Sequence, residues 1–502
     1  MNLSNKTIFT VSIAILIMFC NQGLASIDST SDAVSYTVSI DESNHNLAKV
    51  TATFTLQDKF LYMFSGANNF PKRWAKFVSH MKAKDHTGKP IEITELEGAK
   101  WSLEVVTNKP ITISYQLNLE HEKYRWSGGV DGAAYARERG VFYTGRSIFI
   151  VNGKNRNNIN VSFNLPPKWR VTTPWLVDQN DSKSYKVNNF TELSTSMFFA
   201  GLHKEISIKR GDFELVLALS SSHLIAQKDE YINLAKGVFD YYTNLMGGVP
   251  KLSPDNNQKK SVVIISSGDS TDGEAIGNNI SILIEENGDQ MSKAISRFIF
   301  AHEFFHLWNG KSFTPQNDNS EWFKEGFSNY YTLKSLHHIG FLNDESFLSM
   351  LTDFFYQKYD SDDGTGKLTM TNGELKHDHW GLIYAGGLLV AISQDMIIRE
   401  ATSNKSSLDD LMRTLFSRYG GTDQRYTLNE LKTELSMLSG SDQSEFFDSY
   451  IIGINKLPLG DYLRKAGLNF SNKNGRFILV PMQKMTPLQQ KLRSGLFGLV
   501  LP

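Results

Sequence analysis

The chain is nearly free of cysteine: Cys20 is the only one among 502 residues. That excludes an intramolecular disulfide framework and every cysteine-based metal site, so a metal would have to be held by histidine, aspartate or glutamate. An excess of charge of one sign is lacking too. Lysine and arginine number 52 against 53 acidic residues, a formal net charge of −1, and neither a nucleic-acid footprint nor an acidic tail is written into that balance. The sequence shows no internal repeat of solenoid period and no low-complexity segment. Long apolar runs are absent as well. Ile8 to Cys20 and Ile383 to Ile392 are the notable ones, and both fall short of the roughly 20 residues that span a bilayer. What is present is a globular composition, 40% hydrophobic and 12% aromatic, with ample material for a core.

The first apolar run follows Lys6 and gives way to Asn21-Gln22 and then Gly23-Leu24-Ala25, with small residues at −3 and −1 of a cut before Ser26. Residues 1–25 read as a secretory signal peptide, and the mature protein is expected in the periplasm or outside the cell, without a membrane anchor. The second run reads as a core helix.

From Ser35 to about Ala200 the pattern is one of short alternating segments. Val34–Ile40, Ala48–Phe54, Ile111–Tyr115 and Ser147–Val151 are rich in Val, Ile, Thr and aromatics and are separated by Asn, Asp, Gly and Pro. They predict antiparallel strands of a sandwich-like domain. A helix is predicted over Glu230 to Met246, ended by Gly247-Gly248, followed by buried strands at Ser261–Ser266 and Asn279–Ile284. Helical periodicity then persists from Gln290 to about Leu468.

The chemistry is concentrated in Phe300-Ala-His302-Glu303-Phe-Phe-His306-Leu-Trp308-Asn309. In a helix, positions i and i+4 share a face, so His302 and His306 can offer both imidazoles to one ion. Glu303, one position round, stands beside that ion without ligating it. A second predicted helix, Ser320 to Tyr331, carries Glu325 after 18 intervening residues, enough for a loop and a helical turn to return a carboxylate to the two histidines. Two imidazoles and one carboxylate leave the fourth position of a zinc site open, the mark of a catalytic rather than a structural centre.

These strings resemble the gluzincin metallopeptidases. His302-Glu-x-x-His306 with Glu325 inside Trp-Phe-x-Glu-Gly-Phe, and the run His-Glu-Phe-Phe-His-Leu-Trp-Asn followed by Lys311 and Pro315, are closest to the glycyl aminopeptidase family. Similar strings occur at Tyr384–Gly387, Ile398–Thr402 and Ser407–Asp410, and at Gly140–Tyr143 and Gly145–Phe149 in the β-rich part. The resemblance implies an α+β multidomain chain: an N-terminal antiparallel β-sandwich-like domain over 26–215, a thermolysin-like α/β zinc peptidase domain over 216–403, and a C-terminal α-helical region over 404–502. It implies one zinc ion per chain, peptide or protein substrates, and Tyr384 as the donor to the developing oxyanion. Tyr330, Tyr331, Tyr356 and Tyr359 are rival positions for that donor.

Three departures accompany the resemblance. Relatives carry a lysine two residues after the tyrosine, where this chain has Gly386. They carry a glutamate on the strand ahead of the zinc helix that holds the substrate's amino group, whereas alignment of Asp272-Gly273-Glu274-Ala275-Ile276-Gly-Asn278 puts Ala275 at that place. Glu274 and Gly273 are the substrate-binding candidates. Alternation turns Glu274 to the opposite face, and a bulge beside Gly273 or Gly277 would return it. Finally, the residues after Leu468 are too few for a PDZ domain, which many relatives carry. Asp360–Gly366 and His377-x-His379 lack complete ligand spacing and read as a polar loop. The expected function is that of an exported zinc aminopeptidase. The alternatives are a zinc peptidase that needs no free amino terminus and an inactive binding or scaffold protein.

Overall fold

The structure, a computed structural model, describes residues 33–499 apart from 106, 125, 127–131, 155, 252–258 and 474–475. The expected signal peptide lies outside the described residues.

The alternating segments form strands because their odd positions find a common core. Val34, Tyr36, Val38 and Ile40 point inward from Val34–Asp41, which pairs antiparallel with Asn44–Thr55 so that Val38 lies opposite Val50. Eight strands make the largest sheet, antiparallel throughout except where Val34–Asp41 runs parallel to Asn157–Asn164. Two four-stranded sheets complete this domain round one apolar cluster. The run Ser147–Val151 is only partly strand: Thr144 and Ser147 form a capping box that winds Gly145–Ile148 into one helical turn before the strand Ile150–Asn152 begins.

Gly140–Thr144 and Met197–Gly201 are buried along their whole length. The cause is that both faces of their sheet are covered. Tyr143 and Phe198 join the N-terminal core, while Tyr135, Phe142 and Phe199 pack on Val262, Ile264, Ile276 and Leu283 of the next domain. The β-rich domain is thus cemented to the one that follows it through an apolar seam.

The sheet of the second domain has five strands in the order Lys204–Arg210, Phe213–Leu219, Lys260–Gly268, Asn279–Glu285 and Asp272–Ile276. The middle three are parallel and the last is an antiparallel edge. The boundary expected at 215 falls inside the second of these strands: the hairpin over 204–219 joins this sheet and not the sandwich, because its side chains Leu215, Leu217 and Leu219 belong to the core of the second domain.

Helices cover the sheet. The first site helix, Gln290–Phe305, is capped by Asp289, whose carboxylate accepts from the Ser292 amide. The second site helix is Glu321–His338. The long helix Gly386–Ala401 follows a single π-helical turn at Gly381–Ala385. Taken together, 381–401 is apolar and long enough to cross a membrane, yet 89% of its most apolar 18-residue stretch is buried within the protein. It approaches the second site helix closely: a Cβ on Gly326 would fall 2.1 Å from the Gly387 carbonyl carbon, so a side chain at that crossing would force the helices apart. The last residues form a hairpin, Leu468–Lys473 with Arg476–Pro481, and a helix, Pro487–Leu496.

A buried polar knot fixes this helical frame. Asp395, fully buried, accepts from the Tyr330 hydroxyl at 2.7 Å, the Arg399 guanidinium at 3.0 Å and the Leu408 amide at 2.9 Å. Removing its carboxylate leaves a buried guanidinium short of its partner, so Asp395→Ala is expected to cost about 3–5 kcal/mol of stability. Chemical denaturation followed by circular dichroism measures it, and an unchanged midpoint would contradict the assignment.

Candidate active site

His302 sits in the last turn of the first site helix and His306 caps it. Their i,i+4 spacing brings the two Nε2 atoms to 3.0 Å. The second site helix delivers Glu325 Oε2 to 3.4 Å from His302 Nε2 and 3.2 Å from His306 Nε2. All three side chains are buried. His306 Nδ1 donates to the Asn309 carbonyl at 2.9 Å, which leaves the Nε2 lone pair facing the cluster. Two imidazole nitrogens and a carboxylate oxygen converging in a dry place are a donor set for a cation, and their chemistry suits zinc.

Around these ligands lies a charged lattice that the sequence did not announce. Lys376 donates to Glu325 Oε1 at 3.0 Å and to Glu321 at 2.7 Å, and Lys324 binds Glu321 at 2.6 Å. One Glu325 oxygen therefore faces the histidines while the other is held by Lys376. Burial works against ionisation of Glu325, but His306, His302 and Lys376 together hold its carboxyl well below the usual range. Lys376 also lies 5.9 Å from the Tyr384 ring, so the loop supplies a cation beside the tyrosine in a chain that has Gly386 two residues after it. Partners of a metal-ligating side chain commonly contribute a factor of about 10–100 to metal affinity. Lys376→Met is accordingly expected to weaken zinc retention by roughly that factor in a chelator competition, with Lys376→Arg recovering part of it. Equal retention in all three proteins would show that the lysine has no such role.

Glu303 lies between two lobes of a cleft. Burial pushes its carboxyl up to about 7, with His302 opposing and Glu325 adding. The first lobe, of about 440 Å³, has apolar walls that include Ile295, Phe298, Met350 and Trp380, and Asp272 also lines it. The second, of about 360 Å³, is bordered by Glu274, His306, Lys311, Glu325 and Lys376. Gly273, Glu303, His377 and Tyr384 line both.

Tyr384 stands on the π-helical turn, stacked on Trp380 with centroids 5.3 Å apart and 6.5 Å from the His302 ring. Burial raises its phenol above the ordinary range. The rival tyrosines are engaged elsewhere. Tyr330 donates to Asp395 and Tyr331 to Asp409, Tyr359 accepts from the Leu457 amide, and Tyr356 packs on Phe470 and Phe477. Asp362 and His379 do bond, at 2.9 Å, but Asp362 is taken up by the Gly364 and Leu382 amides, so this group clasps the loop at the start of the Tyr384 turn.

The edge strand holds the substrate-binding candidates. Its register with Asn279–Glu285 runs unbroken from Asp272↔Leu283 to Ile276↔Asn279, so the bulge that would have returned Glu274 to the aligned face is not there. Gly273 faces the first site helix: a Cβ would lie 2.4 Å from Ile299 Cγ2. Glu274 nonetheless borders the charged lobe, paired with Arg146 of the N-terminal domain at 3.0 Å.

Comparison with known proteins agrees with this architecture. Residues 35–201 match the Peptidase M61 N-terminal domain, and residues 272–450 match the Peptidase family M1 domain. The second half is thus a gluzincin peptidase domain, preceded by an N-terminal domain of the M61 type, and the protein is a metallopeptidase. A solved structure of an aminopeptidase N family protein from Idiomarina loihiensis superposes with a TM-score of 0.73 at 18% identity, covering 88% of this chain and 79% of that one, so the two share a fold. No curated protein matches the chain. An M1 domain implies zinc, and His302, His306 and Glu325 fit it.

Proposed function

We propose that this protein is an exported zinc aminopeptidase that removes residues from the amino terminus of peptides. The observation that carries this reading is the position of Glu274, a carboxylate on the wall of the charged lobe that also holds Glu303, His306 and Glu325. On this reading the peptide's ammonium meets Glu274 and its first peptide bond meets Glu303, which lines the same lobe and also the apolar one.

Bound at His302, His306 and Glu325, zinc supplies Lewis-acid polarisation and makes water a nucleophile near neutral pH. Glu303, which lines both lobes beside those ligands, takes the proton of the attacking water and returns it to the leaving nitrogen. Tyr384 donates its hydroxyl to the carbonyl oxygen as charge builds there, and its stacking on Trp380 spares it any reorganisation at that moment. Lys376 keeps Glu325 oriented.

The test is a matched panel of free and N-acetylated peptides. Free peptides are expected to be strongly preferred, and Glu274→Ala to raise KM for them by about tenfold or more, the order of a lost charge-assisted hydrogen bond. A second reading, cleavage without need of a free terminus, is favoured by the fact that Glu274 already has a cationic partner in Arg146. Equal cleavage of both peptide sets by the wild type would establish it.

A further inference from the structure

We infer that the N-terminal domain holds the amine-recognising carboxylate in place: Arg146 and Gly132 are positioning residues for Glu274. The inference rests on the aminopeptidase reading above.

Strand alternation supplies the problem. Gly273 points at Ile299 and Glu303, so Glu274 must leave the strand on the other face, away from the first site helix. Its carboxylate still borders the charged lobe, and what turns it there comes from the other domain. Arg146 Nη2 donates to Glu274 Oε1 at 3.0 Å and to the Gly132 carbonyl at 2.9 Å, and Arg146 Nε donates to the same carbonyl at 3.3 Å. The guanidinium is thereby locked between a backbone oxygen and the carboxylate. Gly132 completes the seat, since a Cβ on it would fall 1.7 Å from Glu274 Oε2. Only a residue without a side chain lets the carboxylate lie where it does.

The seat is rigid for reasons already described. Arg146 rides on the single helical turn fixed by the Thr144–Ser147 capping box, and that turn follows the strand whose Phe142 is sealed into the apolar seam between the domains. Without Arg146 the carboxylate has another cation within the lobe. Lys311 lines it too. Glu274 released from its seat is no longer held in one position for the substrate's amino group.

The experiment measures kcat and KM of the zinc-loaded full chain on free and N-acetylated peptides for Arg146→Ala, Arg146→Lys, Gly132→Ala and Glu274→Ala, and for the Arg146→Ala/Glu274→Ala pair. Arg146→Ala and Gly132→Ala are expected to raise KM for free-amine peptides by about tenfold, with a smaller change in kcat and full zinc content. Arg146→Lys should recover part of the loss. In the double variant Arg146→Ala should add nothing to Glu274→Ala, because two residues acting through one contact are not additive. If Glu274→Ala shifts the preference and Arg146→Ala does not, or if the two effects add, the positioning role is overturned. If Glu274→Ala itself leaves the free-to-blocked ratio unchanged, the aminopeptidase reading fails first.

Discussion

Glu303→Gln is expected to lower kcat by about 10²–10⁴-fold, the usual worth of a general acid–base group, with one zinc per chain retained. The side chain is close to isosteric, so packing between the two lobes is preserved, and Glu303 is not among the three residues whose donor atoms converge. What is lost is the capacity to accept a proton. Its partner in the argument is His306→Ala, which removes one of those donors and is expected to lose zinc. Elemental analysis beside steady-state kinetics separates the two cases. Zinc loss in Glu303→Gln, or full zinc in His306→Ala, would reverse their roles, and an active Glu303→Gln would move the base elsewhere.

Tyr384→Phe is expected to reduce kcat by about 10²–10³-fold, as loss of one oxyanion donor does, while KM moves little. The phenylalanine keeps the stacking on Trp380 and the contacts of the π-helical turn, so the change is confined to a hydroxyl that bonds charge developing in the transition state. A fall in kcat matched by kcat/KM is the signature of an interaction made only there. Wild-type activity would exclude Tyr384. It would not promote a rival easily, because the hydroxyls of Tyr330 and Tyr331 are bonded to Asp395 and Asp409 and that of Tyr359 to a backbone amide.

Parts of the site were legible because they depend on short-range geometry. The helical repeat alone sets His302 and His306 on one face, and the two helices that carry the three ligands are signalled by their apolar spacing. The role of Tyr384 was not legible in that way. The likeness to gluzincins nominated it, and its place just before an apolar helix, where a hydroxyl is better presented than in a helix interior, set it ahead of Tyr330, Tyr331, Tyr356 and Tyr359. The alternating segments of the β-rich domain gave strands at nearly the expected places. Ser147–Val151 failed in part because a local capping box outcompeted the strand pattern.

By itself, then, the sequence determined the His302–His306 pair, the order of β-rich, mixed and helical parts, and the exclusion of cysteine chemistry, all of which follow from residue type and local period, while Glu325 joined the candidate metal centre through its spacing and the likeness to gluzincins. Tertiary structure alone decided how that centre is surrounded. Lys376 reaches Glu325 from 51 residues away and Arg146 reaches Glu274 from 128, across separations where no periodicity carries information. The edge strand shows the same division in one residue. Its alternation correctly turned Glu274 away from Gly273, but a side chain's final position depends on its partners, and those are a guanidinium and a bare Cα contributed by another domain.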